Sequence, residues 1–227
     1  MLVPIVQGGL GFFTLVLDIS SNVTEYNILT AATAAGYNAA TDVRPIVVNV
    51  ASGVTVSGSS THAMRTGALN ANSDLTINIS GSVDGYTGAN GGLVAEAGSA
   101  GGDALFFETS TGGTGTYIVN VLSGANLLGG GGGGGGGGQR GGAYAYDGKN
   151  CTGAILYGSY GSTGTPGGFG INGTQGGTGT YNAGSAPACG PQAVGAGGAP
   201  GAAGFALRKN SRTVTLNNSG TVAGSAA

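Results

Sequence analysis

Tryptophan is absent from this 227-residue chain, histidine occurs once and cysteine twice. Charge is scarce too: seven basic and nine acidic side chains make up 7% of the residues, against about a quarter in ordinary domains. With a net charge of −2 and no basic concentration, the sequence offers little to neutralise a phosphate backbone, which argues against nucleic acid as a partner. No run reaches the ~18 apolar residues of a membrane span, so membrane insertion is not expected. Met1 leads into Leu-Val-Pro-Ile-Val-Gln-Gly-Gly without a basic start or a long apolar core. That argues against a secretory signal and for folding in a cytoplasm.

The shortage of chemistry-bearing residues narrows the function. A metal site generally needs three or four donors and a catalytic triad needs an oriented histidine, so the lone His62 is read as structural. No catalytic residue, metal ligand or cofactor is expected. Asp74 and Asp84 flank one strand and read as turn or cap residues rather than the paired acids of a glycosidase. Matches to G-x-G-x-x-G arise from composition alone, and none continues into Gly-Lys-Ser/Thr. Arg208, Lys209 and Arg212 form the densest basic patch and read as a solvated turn. Cys151 and Cys189 are 38 residues apart. A bridge between them would close a long loop and add about 3–4 kcal/mol, whereas cytoplasmic synthesis favours free thiols at first.

What is abundant is glycine. Residues 129–204 hold 31 glycines in 76 positions, including an unbroken run of ten from Gly129 to Gly138. Glycine loses more backbone entropy on folding than any other residue, so such a tract is slack unless backbones pack together as glycine alone allows. Disorder fits the chain poorly, because charge is low and Val, Ile, Thr and Tyr are plentiful.

The flanks of the tract repeat. Val47-Val-Asn-Val-Ala-Ser-Gly-Val-Thr-Val-Ser-Gly58 matches Tyr117-Ile-Val-Asn-Val-Leu-Ser-Gly-Ala-Asn-Leu-Leu-Gly129 when aligned on Asn and Ser-Gly. Leu75-Thr-Ile-Asn-Ile-Ser-Gly-Ser-Val-Asp-Gly85 matches Val214-Thr-Leu-Asn-Asn-Ser-Gly-Thr-Val-Ala-Gly224 in a shorter form. Each unit is a strand, a Ser-Gly turn and a second strand, and it must stack on its neighbours to bury its apolar face. A further short strand, Ala followed by a large apolar residue, recurs in His62-Ala-Met-Arg65, Asp103-Ala-Leu-Phe106 and Phe205-Ala-Leu-Arg208. Gly142-Ala-Tyr-Ala-Tyr146 is a degenerate candidate for a fourth copy.

The expected fold is therefore mostly β: short stacked β repeats, β-helix or prism-like, with an inserted polyglycine-II-type region and one short N-terminal helix. In polyglycine II, left-handed helices of three residues per turn satisfy each other's backbone groups. Collagen is excluded, because six prolines and no sustained glycine period do not supply it. The helix is placed after Asn22, with Glu25 completing a capping box, packing through Ile28, Leu29 and Ala32, and a stop at Gly36. Four parts follow: residues 1–43 as an attachment segment, 44–128 as β-repeat scaffold, 129–204 as the glycine-rich region with variable loops, and 205–227 as the final repeat.

Among the glycines stand Tyr144, Tyr146, Tyr157, Tyr160, Phe169 and Tyr181. Tyr set among Ser, Gly and Asn is the mixture that binding loops favour, so these six are the contact candidates. The alternative is that the rings cap the ends of glycine helices.

Asn78-Ile-Ser-Gly81 and Asn217-Asn-Ser-Gly-Thr-Val-Ala-Gly224, with Gly102-Asp-Ala-Leu105 between glycine tracts, resemble the glycine-rich modules of tailed-bacteriophage tail fibres and tail-tip proteins. The resemblance spans about residues 40–227. It is similar in design to distal adhesins of T-even-like phages, in which variable loops on a polyglycine sandwich touch an outer-membrane receptor. It implies a non-enzymatic receptor-binding tail-tip protein, located in the virion and assembled in the host cytoplasm. It further implies contact with a host receptor through residues 139–204, with other tail proteins through residues 1–43, and a homotrimer by analogy. The rivals are a spacer subunit that meets no receptor and, less favoured, a polysaccharide-degrading spike.

Overall fold

The computed structural model describes residues 13–92, 94–109, 113–140, 142–144, 155–157, 159–180 and 194–227. Alternating apolar residues of the repeats form parallel strands, and the chain passes through them in five successive turns. The first turn holds β1 (Leu15–Ile19), β2 (Val23–Thr24) and β3 (Tyr26–Asn27), and the second β4 (Ile46–Val50), β5 (Thr55–Ser57) and β6 (Met64–Arg65). The third holds β7 (Leu75–Ile79), β8 (Ser82–Asp84) and β9 (Leu105–Phe106). The fourth holds β10 (Tyr117–Val121) and β11 (Asn126–Leu128), then β12 (Gly142–Tyr144) and β13 (Ile155–Tyr157), and finally β14 (Leu207–Arg208). The fifth ends the chain with β15 (Val214–Asn218) and β16 (Thr221–Ala223).

Three parallel sheets result, ordered β1-β4-β7-β10-β15, β2-β5-β8-β11-β16 and β3-β6-β9-β14. Register aligns the repeats residue by residue. Leu17, Val48, Ile77, Val119 and Leu216 form one inward column, and Val23, Val56, Val83, Leu127 and Val222 another. In the middle turns these side chains are fully buried. The Ala-plus-large pairs build the third sheet: Ala63, Ala104 and Ala206 with Met64, Leu105 and Leu207 are all buried.

The recurring Asn faces outward and makes a ladder. Asn49 donates its amide to Asp18 at 2.8 Å, Asn78 to Asn49 at 2.9 Å, Asn120 to Asn78 at 2.7 Å and Asn217 to Asn120 at 2.8 Å. The Ser-Gly turns alternate in their reason for glycine. Gly53 and Gly124 have left-handed backbones, with φ of +77° and +82°. At Gly81 a Cβ would lie 2.2 Å from the carbonyl oxygen of Val54 in the turn of the neighbouring repeat.

Two expectations for the N-terminal part are corrected. Residues 15–27, assigned to the attachment segment, supply the first strand of each of the three parallel sheets. The helix α1 (Ile28–Ala34) starts one turn later than the capping box suggests, with Asn27 Oδ1 accepting from the Thr30 amide at 3.2 Å. Asn22 and Glu25 bond across to the second turn instead: Asn22 Oδ1 accepts from Thr55 N, and Glu25 Oε1 from Ser59 and Ser60. Ile28 and Ala32 are buried, and Gly36, with φ of +84°, follows the last helical turn. Gly142–Tyr144 is not a further copy of the third-sheet strand, because β12 pairs antiparallel with β13 apart from the three parallel sheets.

Between the strands the chain leaves the stack in six extended segments: 85–92 and 96–102 from the third turn, and 129–138, 160–168, 171–179 and 195–204 from the fourth. The ten-glycine run lies at their centre and is buried throughout. Its amides donate with a period of three. Gly130, Gly133 and Gly136 bond Gly102, Ser99 and Glu96, while Gly132, Gly135 and Gly138 bond Ile171, Thr174 and Gly177. Every carbonyl from Gly129 to Gly138 accepts a bond in turn, from Gly161, Gly164, Gly167 and Gly170, from Gly198, Gly201 and Gly204, and from Gly88, Gly91 and Ala95. The donors in the flanking segments are mostly glycines at every third position, a period that the sequence reading overlooked. Side chains have no room: a Cβ on Gly133 would sit 1.9 Å from the Ala89 oxygen, and one on Gly130 1.7 Å from the Tyr86 oxygen.

Candidate functional site

Among the described residues, the turning points that link the glycine segments, 92 with 94–96, 138–140 with 159–161, and 178–180 with 194–195, fall at the end remote from the sheets. They are pinned to the central run and to one another. Ala95 donates to the Gly137 carbonyl at 2.7 Å, Gly161 to Gly138 at 2.9 Å and Gly195 to Gln139 at 3.0 Å. Thr180 N donates to Ser159 O at 2.8 Å, which ties the second link to the third. The bonded glycine run thus gathers the described ends of these links at one place, an arrangement that suits recognition.

Of the aromatic candidates, Tyr160 lies on this end, 47% exposed, with the Arg140 guanidinium 5.0 Å from its ring centre. Tyr144 and Tyr157 are brought into one two-stranded ribbon, Tyr144 opposite Ile155 and Tyr157 opposite Gly142. Phe169 is not with them. It sits nine residues further along its segment, beside the last turn of the stack, where the adjacent Gly170 approaches Gly224. Tyr146 and Tyr181 lie outside the described residues, as do both Cys151 and Cys189.

One loop escaped the sequence reading. The 92–96 link reaches the same end, and in it Val94 and Ala95 adopt φ of +80° and +57° while Glu96 Oε2 accepts the Gly92 amide at 2.9 Å. Val94 is β-branched and 43% exposed, and a left-handed backbone is costly for such a residue. The signal that would have found this loop is the Gly85, Gly88, Gly91 and Gly98, Gly101 spacing on its two sides.

Where the glycine segments meet the stack, a buried carboxylate spans three turns. Asp103, 2% exposed, accepts from Arg208 Nε at 2.6 Å and Nη2 at 3.0 Å and from the Phe205 amide at 2.8 Å. His62 Nδ1 lies 3.1 Å away, within ion-pair range but off the line of a hydrogen bond, and its ring stacks on Phe106 at 4.1 Å. Burial pushes the Asp103 carboxyl up, but His62, Arg208 and the Phe205 amide outweigh it and hold the group down to about 2. The basic patch is correspondingly not a solvated turn: Arg208 pairs with Asp103 and covers the Phe205 ring, and Arg212 bonds the Glu108 carbonyl and the Tyr117 hydroxyl. Asp74 has the turn role expected, accepting from Thr116 N at 2.7 Å. Among the described residues no cluster of His, Cys, Asp or Glu could hold a metal ion, and no helix is long and apolar enough to cross a membrane.

Comparison with known proteins matches residues 14–227 to the family model described as phage tail fibre adhesin Gp38. The chain belongs to that family of phage adhesins. No curated protein matches this adhesin. Among solved structures it is similar to a chain from the crystal structure of the gp37-gp38 adhesin tip complex of the bacteriophage S16 long tail fiber. The TM-score is 0.53 at 19% identity, over 94% of this chain and 82% of that one. At that identity the likeness shows the fold, mostly β with parallel sheets and one short helix. Family membership makes the adhesin a receptor-binding component of the virion tail, in agreement with the resemblance drawn from the repeats.

Proposed function

We propose that this adhesin contacts its host receptor through the loop-bearing end of the glycine segments, with Tyr144, Tyr157 and Tyr160 as contact residues and Tyr146 and Tyr181 in the same loops. In this reading the repeats form a three-sided prism, and the glycine segments form a polyglycine-II bundle. Residues 1–43 are the attachment end that joins another tail fibre protein, as the name of the S16 complex suggests for its own components. The protein is non-enzymatic and assembles in the host cytoplasm. The observation that carries the proposal is the convergence of the described ends of three links on one end of a buried glycine run whose carbonyls all accept hydrogen bonds. The three sheets are each built from one chain, so a homotrimer would not need strands exchanged between copies. Mass measurement in solution distinguishes one copy from three.

The test is adsorption of the purified chain to host cells. Replacing Tyr144, Tyr157 and Tyr160 together by Ser is expected to lower adsorption at least tenfold while the melting temperature stays unchanged. Undiminished adsorption would contradict the contact assignment, and no adsorption by the unaltered chain would favour a spacer subunit.

A further inference from the structure

A second site lies on the flank of the stack, away from the loops. Between the first and second turns, Glu25, Thr61, His62 and Arg65 line a cavity of about 120 Å³. Glu25 holds a left-handed backbone, φ +54°, in the link between β2 and β3. Such strain in a residue other than glycine is a feature of functional positions. Its Oε1 accepts from the Ser60 hydroxyl at 2.8 Å and from the Ser60 amide and Ser59 hydroxyl at 2.9 Å. These bonds, the Ser60 hydroxyl foremost, lower its carboxyl to about 2, so the group is ionised at any working pH. Oε2 has no partner among the described residues.

Arg65 on β6 is the opposite charge. Unlike Arg44, Arg208 and Arg212, it has no hydrogen bond or ion pair among the described residues, and it does not close onto Glu25. The serines hold the carboxylate back. His62, stacked on Phe106 with its Nδ1 beside Asp103, has no partner for Nε2 among the described residues, and Thr61 adds a hydroxyl. A fixed anion and an unpaired cation therefore line one small cavity without touching. A simple anion would gain Arg65 but meet the charge of Glu25, and a simple amine would gain Glu25 but meet Arg65. A molecule carrying both charges satisfies both walls.

We infer that this cavity binds a small zwitterion, its oxyacid group on the Arg65 guanidinium and its ammonium on Glu25 Oε2. The chemistry is shared by a phosphoethanolamine group on a cell surface and by a free amino acid. The inference is independent of the loop contacts proposed above, since the cavity lies on the strand stack.

Calorimetric titration of the full chain with O-phosphoethanolamine, glycine, inorganic phosphate and ethanolamine tests it. At least one zwitterion is expected to saturate a single site in the millimolar range, with phosphate and ethanolamine at least tenfold weaker. Tighter binding of O-phosphoethanolamine than of glycine assigns the surface source, and the reverse order assigns the amino acid. Arg65→Ala, at an exposed position, is expected to weaken zwitterion binding tenfold or more without altering the fold. Glu25→Gln, which keeps the acceptor for Ser59 and Ser60, is expected to do the same. Failure of both zwitterions to saturate, equal binding of phosphate or ethanolamine, or unchanged binding by Arg65→Ala would overturn the inference.

Discussion

The strand stack and the glycine segments solve one problem in opposite ways. Both must satisfy every buried backbone amide and carbonyl. In the stack, parallel ladders do so in register, and the driving force comes from side chains such as Val48, Ile77 and Val119, each burial contributing about 1.5–3 kcal/mol. In the glycine segments no side chain is buried in the central run, so each ordered residue must offset about 1–2 kcal/mol of entropy with hydrogen bonds worth about 0.5–1.5 kcal/mol net. That balance leaves little surplus. The segments accordingly start and end on strands, following β8 and β11 and leading into β9 and β14. The stack supplies stability, and the glycines convert it into a stiff support for loops.

The comparison is sharpest in how each region answers a change of volume. In the stack, removal is costly: Ile77→Ala leaves a cavity and is expected to destabilise by about 2–5 kcal/mol in denaturant unfolding. In the glycine run, addition is costly. Gly133→Ala drives a methyl against the backbone of Ala89 and is expected to lose about 1–3 kcal/mol, whereas Gly168→Ala, whose new Cβ meets an Ile171 methyl at 3.9 Å, should change stability by less than about 0.5 kcal/mol. Equal effects of the two glycine substitutions would remove the distinction between a filled run and a flexible tract.

The junction gives a pH test. The Asp103 carboxyl ionises at about 2 in the folded protein against ~3.9 when unfolded. Its contribution is full above about pH 4 and drains away as pH falls toward 2. Asp103→Asn should flatten that part of the stability curve; an unchanged acid limb would show that the carboxylate does not tie the regions together. A modest effect is expected on the outer face of the first sheet. Asn78→Ala breaks the amide ladder between Asn49 and Asn120, both near solvent, and should cost about 1 kcal/mol.

How much of this was legible depends on whether a residue's role is local. The repeats were readable because register stacks like on like: Asn49, Asn78, Asn120 and Asn217 share one ladder, and Gly53, Gly81, Gly124 and Gly220 share one corner. The first turn was missed because it carries neither mark, with Asp18 in place of the Asn and no Ser-Gly after Ile19. Asn22 and Glu25 look like a helix cap in one dimension, yet their partners, Thr55, Ser59 and Ser60, come from the next turn. The aromatic cluster was drawn from one stretch of sequence, but chain reversal carries Phe169 to the opposite end and brings Val94 to the loops. Arg208 and Arg212 lost their solvated reading because Asp103 and Tyr117 lie about a hundred residues away in sequence and one turn away in space.

Hydrogen exchange of the ten consecutive glycine amides tests the central claim most directly. Gly130, Gly132, Gly133, Gly135, Gly136 and Gly138, each bonded to a neighbouring segment, are expected to exchange as slowly as the strand amides of Ile77 and Val119. Exchange across the run at the rate of an unstructured chain, with the strands still protected, would contradict it.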